Sequence, residues 1–281
     1  MILVTGATGT VGREVVAQLL AEGHAVRALT RRPATARLDA RVEVVEGDLT
    51  RPETLPRAVA GVERVFSLAL GPDLASQEAS LARAARQAGA RHIVKLSVLG
   101  AGLGATEGVA VWHDAGERAV RESGLAFTFV RPGAFMSNAL FWRDSIRREG
   151  KVYSNFGNGR VPFVHPRDIA AVAVCALSMP GHEGKAWPAT GPEALGVGDQ
   201  VRIIAAALGR RLEYVPITDD AAREGMQAAA MPPYLIEALL PFAATVRSGR
   251  AAKIFPTVEE VTGRPPLTFE QWARENVAAF R

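Results

Sequence analysis

A doubly wound α/β fold, with a parallel sheet and a smaller, mostly helical C-terminal lobe, is what this sequence predicts. Three observations carry it: apolar, β-branched runs alternate with helical stretches through residues 1–132; a glycine-spaced turn joins the first run to the first helix; and the alternation stops after residue 132.

The apolar runs fall at 1–5, 24–29, 42–46, 62–68, 91–97 and 126–130. Short continuous runs of this kind suit parallel strands buried on both faces. Helical stretches lie between them near 11–22, 52–60, 73–88 and 108–122. In the first, Val11, Val15, Val16, Leu19 and Leu20 share one face, and Gly23 ends it. Beyond residue 132, the stretch 133–163 is rich in aromatics and glycine. Pro166 then opens a helix over 167–178, with Asp168 in its first turn, where a carboxylate favours the helix dipole. Trp187–Thr190 reads as a further strand, and 198–281 as mostly helical with a short strand near 213–217. The expected division is a cofactor domain at 1–132 plus 164–190 and a substrate lobe from 133–163 plus 191–281, sharing one cleft.

Composition narrows the function. Hydrophobic residues make up 48% and charged residues 22%, as in an ordinary globular chain. The net charge is +4, and the pI near 9.6 reflects late-titrating arginine, since only four of the 33 basic residues are lysines. The arginines are dispersed among acids with no basic stripe, so no nucleic-acid partner is expected. Residues 1–5 read as a first strand rather than a signal peptide. No apolar run reaches the roughly 18 residues of a membrane span, so no membrane association and a cytoplasmic location are expected. The lone Cys175 lies in an apolar helical run and reads as buried filler. His24, His92, His165 and His182 lie on separate segments without metal-ligand spacing, so no metal is expected.

The chemistry begins at Gly6-Ala7-Thr8-Gly9-Thr10-Val11-Gly12, between the first strand and the first helix. This is the Rossmann-type context in which a glycine triplet is informative. Gly6 permits the tight turn, Gly9 admits a pyrophosphate to the backbone, and Gly12 lets helix and sheet pack closely. The N–H groups of Thr8, Thr10 and Val11 and the positive end of the helix dipole suit phosphate. The second strand ends in Thr30-Arg31-Arg32, without the acid that grips the ribose hydroxyls in NAD-selective sites. Two guanidiniums there suit a 2′-phosphate, so NADP(H) is expected in preference to NAD(H).

The run Ile2-Leu3-Val4-Thr5 through Gly12, with Glu46-Gly47-Asp48-Leu49, Lys95-Leu96-Ser97 and Arg131-Pro132-Gly133, resembles the short-chain dehydrogenase/reductase superfamily, in its extended or atypical branch. Trp112-His113-Asp114-Ala115-Gly116-Glu117, Phe135-Met136-Ser137-Asn138 and His165-Pro166-Arg167-Asp168 look like its NmrA-like subgroup. The resemblance spans about residues 1–215. It implies that Asp48 and Leu49 flank the adenine, that Leu68-Ala69-Leu70 runs along the cofactor, and that Ser97 stands beside the nicotinamide. The residues by themselves leave Asp48 as a turn residue and Ser97 as a satisfied strand-end hydroxyl.

The sequence departs from the superfamily at the catalytic pair. Typical members carry Tyr-x-x-x-Lys on the helix after the fifth strand; the matching positions here are Val109 and His113, anchored on Glu117, and no tyrosine lies in 101–125. His113 is thus a candidate proton donor or ribose ligand, or else a helix-face residue paired with Glu117 four positions on. An isolated ketone needs an acid to receive hydride, whereas a quinone yields a weakly basic oxyanion and an iminium or conjugated cation needs no proton. The subgroup's quinone, dye and iminium-type reductases agree with that logic; it also includes cofactor-sensing regulators that bind a protein partner. Phe135, Met136, Phe141, Trp142, Tyr153 and Phe156 are candidates for an apolar pocket over the nicotinamide, suited to a flat acceptor, or for the lobe's own core. Tyr153 is a candidate remote acid.

Overall fold

A computed structural model describes all 281 residues. The chain runs β1 (Ile2–Thr5), α1 (Thr10–Ala21), β2 (Val26–Thr30), β3 (Glu43–Glu46), α2 (Leu55–Val59), β4 (Arg64–Ser67), α3 (Leu74–Gln87), β5 (His92–Leu96), α4 (Val109–Glu122) and β6 (Ala126–Pro132). It continues with α5 (Arg143–Glu149), β7 (Lys151–Ser154), α6 (Pro166–Ser178), β8 (Ala186–Ala189), α7 (Val197–Leu208) and β9 (Glu213–Pro216). Five short helices finish it: α8 (Asp219–Ala228), α9 (Pro233–Leu239), α10 (Pro241–Arg247), α11 (Thr257–Thr262) and α12 (Phe269–Glu275).

Seven parallel strands form the main sheet in the order β3-β2-β1-β4-β5-β6-β8. Chain direction across the sheet reverses between β1 and β4, which opens a crevice at the carboxyl ends of these strands. Alternation along β1 distributes its side chains to two cores: Ile2 and Val4 join the side covered by α1 and α6, and Leu3 joins the side covered by α2, α3 and α4. Each of the six strand runs and four helices expected before residue 132 is present, within one to two residues at most ends. β6 runs on through Pro132, whose missing N–H is harmless at the strand's last pair, opposite Ala189.

A third core joins Met136, Ile146, Val152 and Phe163 to Val201, Ile204, Phe269, Trp272 and Phe280. Its small sheet pairs β9, expected near 213–217, with β7, which lay unread within 133–163. Four residues with one apolar side chain at Val152 give too short an alternation to register as a strand. The segment carrying α11 returns to the main domain, where Val258 packs with the α6 residues Ile169 and Val172.

Asp168 stands in the first turn of α6, as expected, and has a second role. It is buried, and Oδ2 accepts a bond from the Leu267 N–H at 2.7 Å, tying the C-terminal segment to α6. Burial raises its pKa to about 6 despite that bond, because desolvation outweighs what hydrogen bonding and nearby arginines return. Cys175 is half-buried rather than buried. No helix is long and apolar enough to cross a membrane.

Candidate active site

The turn into α1 forms one wall of a cleft. Gly6 adopts φ +64°, a conformation disfavoured for residues with a Cβ, and its carbonyl accepts from Gly9 N at 2.9 Å. A Cβ on Gly12 would stand 2.1 Å from the Gly6 carbonyl oxygen, so only glycine lets the helix begin this close to the turn. The first helical bond runs from Arg13 N to Gly9 O; the N–H groups of Thr10, Val11 and Gly12 therefore have no helical acceptor, and Gly9 offers no capping side chain.

A cleft of about 500 Å³ lies beside this turn and gathers Gly6, Thr8, Arg31, Arg32, Asp48, Leu49 and Ala69 from the sequence-derived set. Gly9 and Thr10 edge the turn, while Val11 and Gly12 are buried beneath it. Thr5 bridges the ends of β1 and β4, donating to Leu68 O at 3.1 Å and accepting from Leu68 N at 2.7 Å. Asp48 closes its own turn: Oδ1 accepts from Thr50 N and Thr50 Oγ1, both at 2.9 Å. Those bonds, led by the backbone N–H, hold its carboxyl below the usual range, with Arg31 assisting.

Arg31 and Arg32 are exposed and pair with no carboxylate. Arg13, one residue past the glycine triplet, lines the same cleft; its Nε donates to Thr8 O at 2.8 Å and it too lacks an acidic partner. Arg13 is a cleft-lining residue that sequence reasoning missed, although a cation one position past the glycine triplet is a signal worth reading. Unsatisfied N–H groups at a helix start and three unpaired guanidiniums fit a dinucleotide with an additional phosphate.

The second constellation lies at the carboxyl end of β5. Lys95 and Glu78, both fully buried, face each other with Nζ 3.1 Å from Oε1. Ser67 donates to Glu78 Oε2 at 2.5 Å, and Lys95 Nζ approaches Leu96 O at 3.2 Å and His113 Nδ1 at 3.4 Å. His113 therefore pairs with Lys95 and not with Glu117. Burial, and then the neighbouring ammonium, lower the His113 pKa to about 3. Sequence reasoning quoted Lys95 without a role and passed over Glu78. A lysine inside Ile93-Val94-Lys95-Leu96, and a glutamate on the same face of α3 as Leu74, Leu81 and Ala82, each announce a buried partner.

Glu117 centres a separate buried cluster. It accepts from Ser97 Oγ at 2.6 Å, from Arg131 Nε at 2.8 Å and Nη2 at 2.5 Å, and from Arg121 at 3.2 Å. The Ser97 hydroxyl proton is thus committed to Glu117. Neither Ser97 nor His113 lines the glycine-loop cleft.

The lobe aromatics divide. Met136 and Phe163 are buried in the third core, Trp142 and Phe156 pack against it, and Phe141 is 78% exposed. Phe135 packs against the main core instead. Tyr153 donates to Glu149 at 2.6 Å, which, with burial, raises its pKa. Above α4, Trp112 meets Tyr234 of α9 with ring centroids 6.0 Å apart, and the Ala238 carbonyl sits over Gly108.

Fold and glycine loop together define a Rossmann-type dinucleotide-binding protein. Residues 6–180 match the NAD(P)H-binding family, and the chain belongs to it. Over its whole length it is 42% identical to an NAD(P)H azoreductase of Xenophilus azovorans, covering 99% of that protein. It is 44% identical to a (4-alkanoyl-5-oxo-2,5-dihydrofuran-3-yl)methyl phosphate reductase of Streptomyces griseus, with 99% of that protein covered. Among solved structures, an NADPH-dependent quinone oxidoreductase from Escherichia coli superposes with a TM-score of 0.85 at 25% identity, over 98% of this chain and 99% of that one. A Citrobacter triphenylmethane reductase complexed with NADP(H) gives 0.82 at 25% identity, over 98% and 99%.

Proposed function

We propose that this chain is an NADPH-dependent reductase of conjugated or cationic small organic acceptors, of quinone, dye or imine type, working without the Tyr-x-x-x-Lys pair. The observation that carries this reading is His113. Where the superfamily's lysine would stand, an imidazole with pKa about 3 stays uncharged near neutral pH, so it offers a hydrogen bond and not an acidic proton. Acceptors that need no strong acid are the ones such a site can reduce. The names of the relatives agree: azo compounds, quinones, triphenylmethane dyes and an acyl-dihydrofuranone are all conjugated.

In this reading the N–H groups of Thr8, Thr10 and Val11, over Gly6, Gly9 and Gly12, hold the pyrophosphate. Arg31, Arg32 and Arg13 hold the 2′-phosphate, giving NADP(H) preference over NAD(H). Asp48, through its free Oδ2, and Leu49 flank the adenine, and Ala69 runs along the cofactor. When bound, the reduced nicotinamide supplies a hydride, and a quinone that takes it with one solvent proton leaves as the hydroquinone. His113 donates a hydrogen bond to the ribose or to the developing oxyanion. Ser97 and Glu117 fix Arg131 behind it. Residues 1–132 plus 164–190 form the cofactor domain, and 133–163 plus 191–281 contribute the substrate lobe, with Tyr234 and Phe141 as its apolar surfaces and Trp112 of the cofactor domain set against Tyr234.

Oxidation of NADPH and of NADH at 340 nm tests the proposal, with a quinone, an azo dye, a triphenylmethane dye and cyclohexanone as acceptors. We expect turnover with the conjugated acceptors, NADPH favoured, and none with cyclohexanone. Nucleotide binding without turnover on any acceptor would replace the reductase with a cofactor sensor.

A further inference from the structure

The buried row Ser67–Glu78–Lys95–His113 links β4, α3, β5 and α4, elements whose residues lie up to 46 positions apart. A buried ion pair contributes little to stability, because desolvation offsets its attraction, so this one calls for another reason to exist. The helix architecture makes room for it. Gly116 lies one turn beyond His113, and a Cβ there would stand 2.2 Å from Leu74 Cδ2 and 3.1 Å from Lys95 Cε. The absence of a side chain at 116 lets α4 settle onto α3 and brings His113 to the ammonium.

An ammonium has donors and no acceptor. Facing Lys95, His113 Nδ1 must therefore accept, and in an uncharged ring the proton then sits on Nε2. Nε2 makes no bond within the protein and is not enclosed, so it is the open nitrogen of the ring.

We propose that Lys95 is a positioning residue: held by Glu78, it fixes His113 in the Nε2–H tautomer, so that the imidazole presents one hydrogen-bond donor to whatever binds at the carboxyl end of β5. This deepens the reductase reading and rests on it for the identity of what is bound. Glu78 is the counter-ion and Ser67 the residue that orients it. Without Lys95 the ring is free to exchange tautomers and to present an acceptor.

Two-bond 1H–15N spectra of protein labelled with [15N]histidine, near pH 7, test this directly. His113 is assigned by its disappearance in His113→Gln. The expected spectrum has a protonated Nε2 and an unprotonated, hydrogen-bonded Nδ1. Lys95→Met leaves Glu78 buried without its cation, so the double variant Lys95→Met/Glu78→Gln, which leaves no charge in the row, is the decisive comparison. In it we expect tautomer-averaged shifts and a lower kcat. Lys95→Arg, which keeps a donor, should restore the Nε2–H pattern. A wild-type Nδ1–H tautomer, or a double variant with the unaltered Nε2–H pattern, would overturn the proposal. The spectra need no acceptor, so failure of the reductase reading appears separately, as a normal tautomer in a protein without turnover.

Discussion

The glycine-loop cleft and the cluster at the end of β5 are built on opposite principles. Around the glycine loop, the first N–H groups of α1 have no helical acceptor and the guanidiniums of Arg13, Arg31 and Arg32 are exposed with no acidic partner. At the end of β5 the buried charges are matched: Lys95 with Glu78, and Glu117 with Arg131, Ser97 and the more exposed Arg121. Donors left unsatisfied by the fold invite a ligand; groups satisfied before any ligand arrives set the geometry that the ligand meets.

Substitutions in each region sharpen that contrast. Glu117→Ala strands the half-buried Arg131 and leaves Ser97 without its acceptor, and should lower stability the most, by about 3–5 kcal/mol, as breaking a buried pair does. A urea midpoint within error of the wild type would show the cluster to be dispensable. At the glycine-loop cleft, Arg31→Ala/Arg32→Ala should leave that midpoint unchanged and weaken NADPH binding roughly 100-fold, given about 1.5–3 kcal/mol for each charged hydrogen bond. NADH binding should barely move. Fluorescence titration at fixed ionic strength checks this, because salt screens exposed charges. Equal losses for both nucleotides would remove the 2′-phosphate role.

Gly12→Ala forces a methyl group into the Gly6 carbonyl and should cost about 1–3 kcal/mol of stability. It should also impair binding of both nucleotides alike, which separates it from the arginine pair. Wild-type Tm with full affinity in this variant would mean the turn relaxes freely.

The remaining effects are in pH dependence, and the signs differ between groups. The folded-state pKa of His113, about 3, lies below its ordinary 6.5, so the folded protein binds fewer protons in that interval. His113 thus contributes stability that is full above about 6.5 and is lost as pH falls toward 3. Asp168 runs the other way: raised from 3.8 to about 6, it favours the fold at low pH and loses that contribution as pH rises through 6. Chemical denaturation across this range should show a shallower acid limb in His113→Asn and a steeper one in Asp168→Asn. Unchanged limbs in both would contradict these assignments.

The contrast also explains what could be read from the chain. The glycine loop was legible because its demands are local: seven consecutive residues specify the turn, the close approach and the helix start. The Arg31-Arg32 pair was legible because its position follows from where β2 ends. The inner cluster was not, since Glu78, Lys95 and His113 sit on three elements and only the folded sheet brings them together. A lysine in an apolar strand says that a partner exists without saying which. The alternative reading, His113 paired with Glu117 by helical spacing, is excluded for that reason: strand ends supply Ser97 and Arg131 to Glu117 and Lys95 to His113. β7 went unread, and α11 docks on α6 through contacts about 90 residues apart, which no local pattern encodes.

The central claim is that hydride reaches a conjugated acceptor with no protein acid titrating near neutrality. The most direct test is the pH dependence of kcat for NADPH oxidation by a quinone, from about pH 5 to about pH 9. A flat profile across the ordinary histidine range is the predicted result, because His113 stays uncharged throughout. A kcat that falls with rising pH around 6.5, and loses that limb in His113→Asn, would show His113 to be the proton donor and contradict the account.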